Sequence, residues 1–406
     1  MKTAAIIAEY NPFHKGHKYM IDQIRRILGA DTAIVAIMSG NFTQRGELSI
    51  ADKSVRAEAA VRCGVNLVLE LPFPHSMSSA EFFAAAGVRI ADSLGVVDHL
   101  VFGSECGDIE KLTEIAKNMS SDKYASALAE MTDSDEYRST GHAQLCEMAY
   151  KRCFGNDLNE DFFSPNNILA VEYIKSLIRE KSDISPIAIK RIGAGYSDGF
   201  DEKTEFQSAS AIRTMLTSDT IFASKYMPKE SFFALDKAIS SGEAPTDTAM
   251  LDKAVISHLR LNPTPICRDI HDASGGLYNR LHDISMETDS ISSLVAQAAT
   301  KKFTSARLRR AVWYSYLGVT SSDVRTLPQY TQVLAMDKVG CGLLKEIKRT
   351  SVFPVITKPA SYRHCSDEVI RRMEQSVRAD SVFALARKNA LRGSFALLFT
   401  PYVKKE

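Results

Sequence analysis

The sequence lacks a C-x-x-C pair, and its seven cysteines are an odd number spread along 406 residues. Both facts argue against a disulfide scaffold and against a zinc knuckle. No apolar run is long enough to cross a bilayer. The apolar N-terminal stretch is interrupted by Glu9, so it is more typical of a buried strand than of a signal peptide. We therefore expect reduced thiols, no membrane association and a cytoplasmic protein.

Internal repeats and low-complexity tracts are also absent. With 45% hydrophobic and 24% charged residues, the composition is that of an ordinary globular protein. The length exceeds what one typical core can hold, so two or three domains are expected.

Short apolar runs alternate with helical stretches in the first half of the chain, at spacings suited to βαβ units. Strands are predicted over residues 4–10, 32–38, 66–71, 99–102 and 184–192, and helices over 17–28, 53–63, 79–94, 166–179 and 207–216. Beyond about residue 217 the strand signal fades, apart from a candidate at 352–357. The pattern predicts an α/β domain with a parallel sheet over 1–217 and a mostly helical region over 218–406.

The most informative segment is residues 9–17, Glu-Tyr-Asn-Pro-Phe-His-Lys-Gly-His, where the first strand gives way to the first helix. Ligands bind beyond the carboxyl ends of parallel strands, and a helix N-terminus attracts anions. Gly16 allows the backbone to approach phosphates closely. His14 and His17 can donate hydrogen bonds that strengthen as charge moves onto a leaving pyrophosphate. We predict an ATP site with these two histidines as catalytic residues and with magnesium on the phosphates; the alternative is a loop with two incidental histidines.

A second phosphate-binding element is predicted over residues 206–213, where a helix opens after the last predicted strand. Ser208 and Ser210 could donate hydrogen bonds to phosphates, and Arg213 adds a fixed positive charge. A Ser-x-Ser sequence at a helix start is often only a cap, so this element depends on the histidine motif for its interpretation.

The H-x-G-H of residues 14–17 and the S-x-S-x-I-R of residues 208–213 resemble the HIGH-type nucleotidylyltransferase superfamily, which has a Rossmann-like (HUP) fold. Longer matches make nearly the whole chain similar to the tRNA(Met) cytidine acetate ligase family; they cover residues 8–17, 38–47, 102–105, 164–169, 191–196 and 306–310. The resemblance implies an enzyme that uses ATP and acetate to form acetyl-adenylate and then acetylates the wobble cytidine of elongator tRNA(Met) to N4-acetylcytidine. No K-M-S-K-S-type loop is found, so no lysine is assigned to the phosphates.

The same resemblance implies a set of ATP-binding residues. They are Ile7, Glu9, Tyr10, Asn11, Pro12, Phe13, His14, Lys15, Gly16, His17, Met20, Gly103, one of Asn166 and Asn167, Arg191, Ser208, Ser210 and Arg213. A turn glycine at 103, a helix cap at 166 or 167 and a surface ion pair at Arg191 are the alternatives.

A loop over residues 40–47 ends the second predicted strand and is expected to cover the pocket. Asn41, Gln44 and Arg45 are predicted to hold acetate or the target base, and Phe42 could stack on that base. An ordinary ordered loop is the alternative.

The net charge of +1 conceals an asymmetry, because residues 301–406 contain 20 Lys and Arg against 8 Asp and Glu. Such a basic region suggests a polyanionic partner, although a solvated surface of no special use is equally consistent with it. The residues predicted to contact tRNA phosphates are Lys301, Lys302, Arg307, Arg309, Arg310, Lys348 and Arg349. No obligate protein partner is evident. Two rival functions stay open: a small-molecule adenylyltransferase, and an RNA-binding module with a relic nucleotide site.

Overall fold

The structure, a computed structural model, describes residues 1–137, 140–155, 163–192, 204–265, 269–390 and 395–405, without the side chains of 395 and 396. The part of the family match at residues 193–196 therefore lies outside the described residues. None of the described helices combines the length and the apolar character that a membrane-spanning segment needs.

Within the described ranges a sheet of eight strands has the order β5-β4-β1-β2-β3-β6-β7, with β8 also paired to β6. The strands are β1 (Thr3–Ala8), β2 (Ala33–Ser39), β3 (Leu67–Leu71), β4 (His99–Ser104), β5 (Ser185–Lys190), β6 (Thr331–Met336), β7 (Val355–Ile356) and β8 (Tyr402–Val403). Neighbouring strands among β1 to β5 are parallel, whereas β6 is antiparallel to β3.

Helices cover both faces of this sheet and make up most of the C-terminal half. They are α1 (Lys15–Leu28), α2 (Lys53–Arg62), α3 (Ala80–Ser93), α4 (Ile109–Met119), α5 (Asp122–Asp133), α6 (His142–Phe154), α7 (Pro165–Glu180), α8 (Ala209–Ser218), α9 (Thr220–Ser224), α10 (Lys229–Ser240), α11 (Asp252–Leu261), α12 (Leu277–Ser285), α13 (Ile291–Ala298), α14 (Ser305–Leu317), α15 (Ser321–Arg325), α16 (Lys338–Thr350) and α17 (Asp367–Ala384). The predicted α/β class and the five predicted strands of the first half are confirmed.

The continuous apolar runs form strands because helices cover them on both sides. All seven residues of β2 are buried, and so are all five of β3. Each βα connection places a loop at the carboxyl end of the sheet, which is where the predicted site residues follow their strands.

Strand β6 is the main feature that the sequence did not predict. All six of its residues are buried, and Thr331 Oγ1 donates to the carbonyl of Glu70, 261 residues earlier. A short buried run has no periodicity of its own, and nothing local indicates so distant a partner. The candidate strand at 352–357 is reduced to the two residues of β7. Because β6, β7 and β8 extend the sheet, residues on both sides of position 217 share it, and the domain boundary there remains a prediction.

Arg56 of α2 ties together the loops at the carboxyl ends of β1 and β2. Its guanidinium is buried and donates to the carbonyl oxygens of Glu9 (2.6 Å), Ser39 (3.2 Å), Gly40 (2.6 Å) and Ala51 (3.0 Å). One side chain thereby satisfies four backbone carbonyl acceptors. These hydrogen bonds fix the two loops relative to each other.

A buried ionic cluster joins the same region to helix α17. Lys53 Nζ lies 2.7 Å from Glu70 Oε1 and 2.7 Å from Asp380 Oδ2. Asp52 accepts from Arg387 at 2.7 Å, and both residues are buried. Gly40 is required beside the cluster, because a Cβ there would lie 2.8 Å from Glu70 Oε1. Helix α17 is therefore attached to the sheet by charges that pair out of contact with water.

Candidate ATP site

A cleft opens at the carboxyl ends of β1, β4 and β5, bounded by the N-termini of α1, α7 and α8. Of the predicted ATP-binding residues it is lined by Ile7, Glu9, Tyr10, Asn11, His14, Gly16, His17, Met20, Gly103, Asn166, Arg191 and Ser208. Gln44 and Arg45, predicted to hold substrate, line it as well. Ile7 and Ser208, 201 positions apart in the chain, thus face one cavity.

The remaining predicted ATP residues do not line this cleft: Pro12, Phe13, Lys15, Asn167, Ser210 and Arg213. Phe13 is buried, and its carbonyl accepts from Ser231 Oγ at 2.7 Å. Arg213 donates to the carbonyl of Asn11 at 3.0 Å, so it holds the segment that precedes the two histidines without lining the cleft. Ser208 both lines the cleft and caps α8, since its Oγ accepts from the Ala211 amide at 3.2 Å.

His14 and His17 are held so that their outer nitrogens can act as donors. The Gly16 amide donates to His14 Nδ1 at 3.0 Å, and the His14 amide donates to His17 Nδ1 at 3.2 Å. A neutral imidazole that accepts at Nδ1 has its proton on Nε2. The structure therefore gives each ring an Nε2–H for a ligand.

Burial keeps both rings uncharged. It lowers the pKa of His14 to about 3, and the positive charges of Arg191 and Arg213 act in the same direction. Burial and the neighbouring His14 likewise lower the pKa of His17. The ring centroids are only 3.8 Å apart, a separation that two neutral rings tolerate far better than two cations. A Cβ on Gly16 would lie 2.8 Å from His14 Cε1, so the glycine also makes room for this ring.

Arg191 and Gly103 form the facing wall of the cleft. The Arg191 amide donates to the carbonyl of Ser104, extending the β4–β5 ladder by one residue. Its guanidinium forms no ion pair with any carboxylate in the part of the chain that the structure describes. A Cβ on Gly103 would lie 3.2 Å from Arg191 Cγ and 3.3 Å from Met20 Cε.

The two neighbouring asparagines have different places. Asn166 lines the cleft, and its Nδ2 donates to Glu105 Oε1 at 2.6 Å. Asn167 is only 1% exposed, and its Oδ1 accepts from the amide of Glu105 at 2.9 Å. Asn166 is therefore the one that faces the cleft, while Asn167 supports the loop after β4.

An apolar wall of the cleft was not predicted from sequence. It includes Phe83, Phe102 and Tyr173, with the rings of the last two 5.5 Å apart. Two features of the sequence could have indicated it: Phe102 directly precedes Gly103, and Tyr173 lies two helical turns after Asn166 on the same face of α7.

Among the described ranges, no group of three or more His, Cys, Asp or Glu side chains could hold a metal ion.

Comparison with known proteins agrees with this geometry. A family model described as HIGH Nucleotidyl Transferase matches residues 1–395. A relative from Acetivibrio thermocellus named tRNA(Met) cytidine acetate ligase is 35% identical over 405 residues, covering 96% of each chain. The chain belongs to the tRNA(Met) cytidine acetate ligase family. A ligase of the same name from Caldanaerobacter subterraneus subsp. tengcongensis is 35% identical over 395 residues, again covering 96% of both chains.

Solved structures of a member of this ligase family have the same fold. The crystal structure of Thermotoga maritima TmcAL bound with alpha-thio ATP superposes with a TM-score of 0.91 at 30% identity, covering 100% of both chains. Its apo form gives a TM-score of 0.92 at 29% identity and the same coverage. The Rossmann-like nucleotidyltransferase fold expected from sequence is confirmed.

In this family member the 40–47 loop is an ordered part of the site rather than a free flap. The Gln44 amide donates to Glu9 Oε1 at 2.9 Å, and Glu47 pairs with Arg213 at 2.9 Å. From the C-terminal half, Arg309 Nε donates to the carbonyl of Arg45 at 3.0 Å. The loop is thus held from both sides.

Two expectations about this loop need correction. Asn41 does not line the cleft: it is 2% exposed, and its Nδ2 donates to Asp380 Oδ1 at 2.9 Å within the ionic cluster. Phe42 does not offer a stacking surface, because it is buried between Phe73 and Trp313 with ring centroids 5.5 and 5.4 Å away. An exposed loop and a buried one have similar composition, and only the position of α14 and α17 distinguishes them.

The residues predicted to contact tRNA do not form one surface. Arg310 is buried and pairs with Asp272 at 2.6 Å, and Arg309 pairs with Glu47 at 3.3 Å. Arg307 Nε donates to the Asp272 carbonyl at 3.1 Å. Three of the predicted cations are therefore engaged within the protein, where they brace α14.

The other four predicted cations lie in two separate segments of the chain. Lys301 and Lys302 lie shortly before α14, which begins at Ser305 and whose Arg309 holds the loop lining the cleft. Lys348 and Arg349 are exposed near the end of α16, beside Thr350, whose hydroxyl donates to the carbonyl of Leu94 at 2.6 Å. Leu94 precedes β4, so this pair lies at the amino end of the sheet, roughly 20 Å of strand from the cleft.

Proposed function

We propose that this protein uses ATP and acetate to acetylate the wobble cytidine of elongator tRNA(Met), through an acetyl-adenylate formed in the cleft. The observation that carries the proposal is the pair of neutral imidazoles with free Nε2–H donors at the N-terminus of α1, facing Arg191. The names of full-length relatives give the acid and the tRNA. Because the reaction consumes ATP and modifies tRNA, we assign the protein to the cytoplasm.

In the first step a carboxylate oxygen of acetate attacks the α-phosphorus of ATP, and pyrophosphate leaves. The Nε2–H groups of His14 and His17 and the N-terminus of α1 stabilise the charge that builds on the leaving group. Since these donors are fixed before ATP binds, little reorganisation is required at the moment of reaction. Any magnesium that accompanies ATP would be held mainly by the phosphates and water, as is usual for this ion.

In the second step the N4 amine of cytidine attacks the acetyl carbon, and AMP leaves with both electrons of the acyl C–O bond. Gln44 and Arg45 of the 40–47 loop line the cleft. We propose that the target base enters beside this loop. We propose that residues 1–217 carry ATP chemistry and that residues 218–406 mainly carry tRNA binding, with α14 bracing the loop between them.

A small-molecule adenylyltransferase would share the histidine motif and the fold. That function would not account for a C-terminal half whose Arg309 and Trp313 donate hydrogen bonds to backbone carbonyls of the 40–47 loop. The two functions differ in what exchanges pyrophosphate into ATP: acetate for the ligase, and phosphopantetheine or nicotinate mononucleotide for the rival.

The deciding experiment is mass spectrometry of tRNA(Met) after incubation with the protein, ATP and acetate. The ligase adds one acetyl group to the wobble cytidine, and the modification requires both small substrates. Unmodified tRNA together with exchange supported by phosphopantetheine would favour the adenylyltransferase. Absence of any ATP turnover would favour an RNA-binding module.

We expect Lys301→Ala with Lys302→Ala to weaken tRNA binding and to leave ATP binding unchanged. Loss of about two phosphate contacts should reduce the slope of log affinity against log salt by roughly 1.4 to 1.8. The matched control is Lys151→Ala with Arg152→Ala on α6, two cations that pair with Glu147 and Glu130 and are not among the predicted tRNA contacts. Both double variants are measured by filter binding across a salt series. Equal slopes for the two double variants would contradict the assignment. Arg309 and Arg310 are unsuitable for this test, because their loss should also disturb the loop at Arg45.

A further inference from the structure

The cleft contains one acidic side chain among the described residues that line it, and that side chain is Glu9. It stands at the carboxyl end of β1, one residue beyond the strand. The other side chains in the cleft with titratable nitrogens are poor proton acceptors there: Nδ1 of His14 and of His17 already accepts a backbone amide, and lysine and arginine are cations. By composition alone, Glu9 is the group that could take a proton.

The geometry of Glu9 leaves one oxygen for this purpose. Oε1 accepts from the Gln44 amide at 2.9 Å, which fixes the carboxyl group against the loop. In the described portion of the chain Oε2 has no hydrogen-bond partner, and the residue remains partly exposed. A carboxylate with one oxygen anchored and the other open to the cleft is oriented for proton transfer at the open oxygen.

The surroundings of Glu9 make it a stronger base than an exposed glutamate. Burial raises its pKa, and the negative charge of Glu47 in the neighbouring loop adds to that effect. The Gln44 amide, Arg213 of α8 and Arg56 of α2 act in the opposite direction and lower this pKa. The phenol of Tyr173 on α7 faces it from the apolar wall.

We propose that Glu9 is the general base of the acyl-transfer step, accepting at Oε2 a proton from the N4 amine of the target cytidine. The nitrogen lone pair forms the new N–C bond to the acetyl carbon while the bond from that carbon to the phosphate oxygen breaks. AMP leaves with the electron pair, and the amine proton passes to the carboxylate, which later releases it to water. The inference rests on the proposed function, because it requires acetyl-adenylate as the acyl donor.

The test separates the two half-reactions in Glu9→Gln. Adenylate formation is measured as acetate-dependent exchange of pyrophosphate into ATP, and transfer is measured as acetylation of tRNA(Met). Loss of a general base should slow transfer by about 10²- to 10⁴-fold. Adenylate formation has no amine proton to remove, so transfer should fall at least tenfold more than exchange.

Hydroxylamine provides a second acceptor that needs no base, because it is unprotonated and strongly nucleophilic at neutral pH. Glu9→Gln should therefore still produce acetohydroxamate from ATP and acetate while it fails to acetylate tRNA. The transfer rate of the unaltered enzyme should rise with pH through the pKa of Glu9, and the variant should lose that rise. Glu9→Asp, which retains a carboxylate, should recover part of the transfer rate.

Glu58→Gln is the matched control, since it removes a partly exposed carboxylate that pairs with Arg62 on α2 and does not line the cleft. Its transfer and exchange rates should change by similar factors. If Glu9→Gln slows exchange, hydroxamate formation and transfer equally, Glu9 is a binding or structural group and the inference is overturned. Undiminished transfer in the variant overturns it as well. If the unaltered protein itself fails to acetylate tRNA(Met), the proposed function fails first, which is a distinguishable result.

Discussion

Replacing His14 with asparagine is expected to reduce acetate-dependent pyrophosphate exchange by about 10²- to 10³-fold, the usual effect of removing one charge-stabilising donor from an active site. His14 has two functions at this position. Its Nδ1 caps α1 by accepting the Gly16 amide, and its Nε2–H is offered to a ligand. Asparagine is an effective N-cap and can take over the first function, but its shorter side chain does not reach where the imidazole donates. The exchange rate should therefore fall while the melting temperature stays nearly constant.

His14→Ala separates the two functions further, because it removes the cap as well. It should lose the same activity as the asparagine variant and in addition about 0.5–2 kcal/mol of folding free energy. His364→Ala, at an exposed position far from the motif in sequence, is the control for loss of a histidine. Exchange at the normal rate in His14→Asn would show that the imidazole does not contribute to adenylate formation.

The low pKa of His14 adds a pH signature to this result. Because burial lowers that pKa to about 3, the imidazole stays neutral throughout the range above pH 5. The profile of kcat/KM for exchange should consequently lack a limb near 6.5, where an ordinary histidine titrates. A limb at that pH that disappears in His14→Asn would contradict the neutral donor.

Replacing Lys53 with methionine is expected to destabilise the protein by about 3–5 kcal/mol, the cost of leaving buried charges without their partner. Lys53 Nζ is the shared cation of Glu70 and Asp380, and the side chains of all three are no more than 6% exposed. Methionine matches the length of the aliphatic chain but supplies no charge. Urea unfolding followed by circular dichroism measures the change, provided that the slope of the transition is unaltered.

Two further variants make the cause of that loss identifiable. Lys53→Met combined with Glu70→Met removes one charge of each sign and should be less destabilised than Lys53→Met alone. Lys151→Met breaks the partly exposed i,i+4 pair with Glu147 on α6 and should cost less than about 0.5 kcal/mol. A loss of under about 1 kcal/mol in Lys53→Met would mean that the cluster is not held together by its charges.

These two sites differ in how far the sequence could predict them. The histidine motif is local: a strand, a glycine and a helix start are adjacent in the chain, and the chemistry of each residue depends on its immediate neighbours. The Lys53 cluster is not local, since Asp380 lies 327 residues beyond Lys53. A lysine in the first turn of a helix is ordinarily solvated, so nothing in its surroundings along the chain indicates burial.

The predicted tRNA residues illustrate the same limit. Residues 301–406 are rich in Lys and Arg, but composition does not show which cations are already paired. Arg309 and Arg310 hold the active-site loop through Arg45, Glu47 and Gln44. Arg307 is bound to Asp272 instead. Whether an arginine pairs within the protein or is available to a tRNA phosphate depends on its distance from a carboxylate. That distance is set only when the chain folds.

The sequence by itself determined the parallel sheet, the position of the phosphate-binding junction and the identity of the two histidines, because short-range periodicity and adjacent residue types are sufficient to produce them. Only the tertiary structure decided that Asn166 rather than Asn167 faces the cleft, that Asn41 and Phe42 are buried, and that β6 extends the sheet. Each of these depends on contacts between segments far apart in the chain, whose pairing is selected by the packing of the whole molecule rather than by any local pattern.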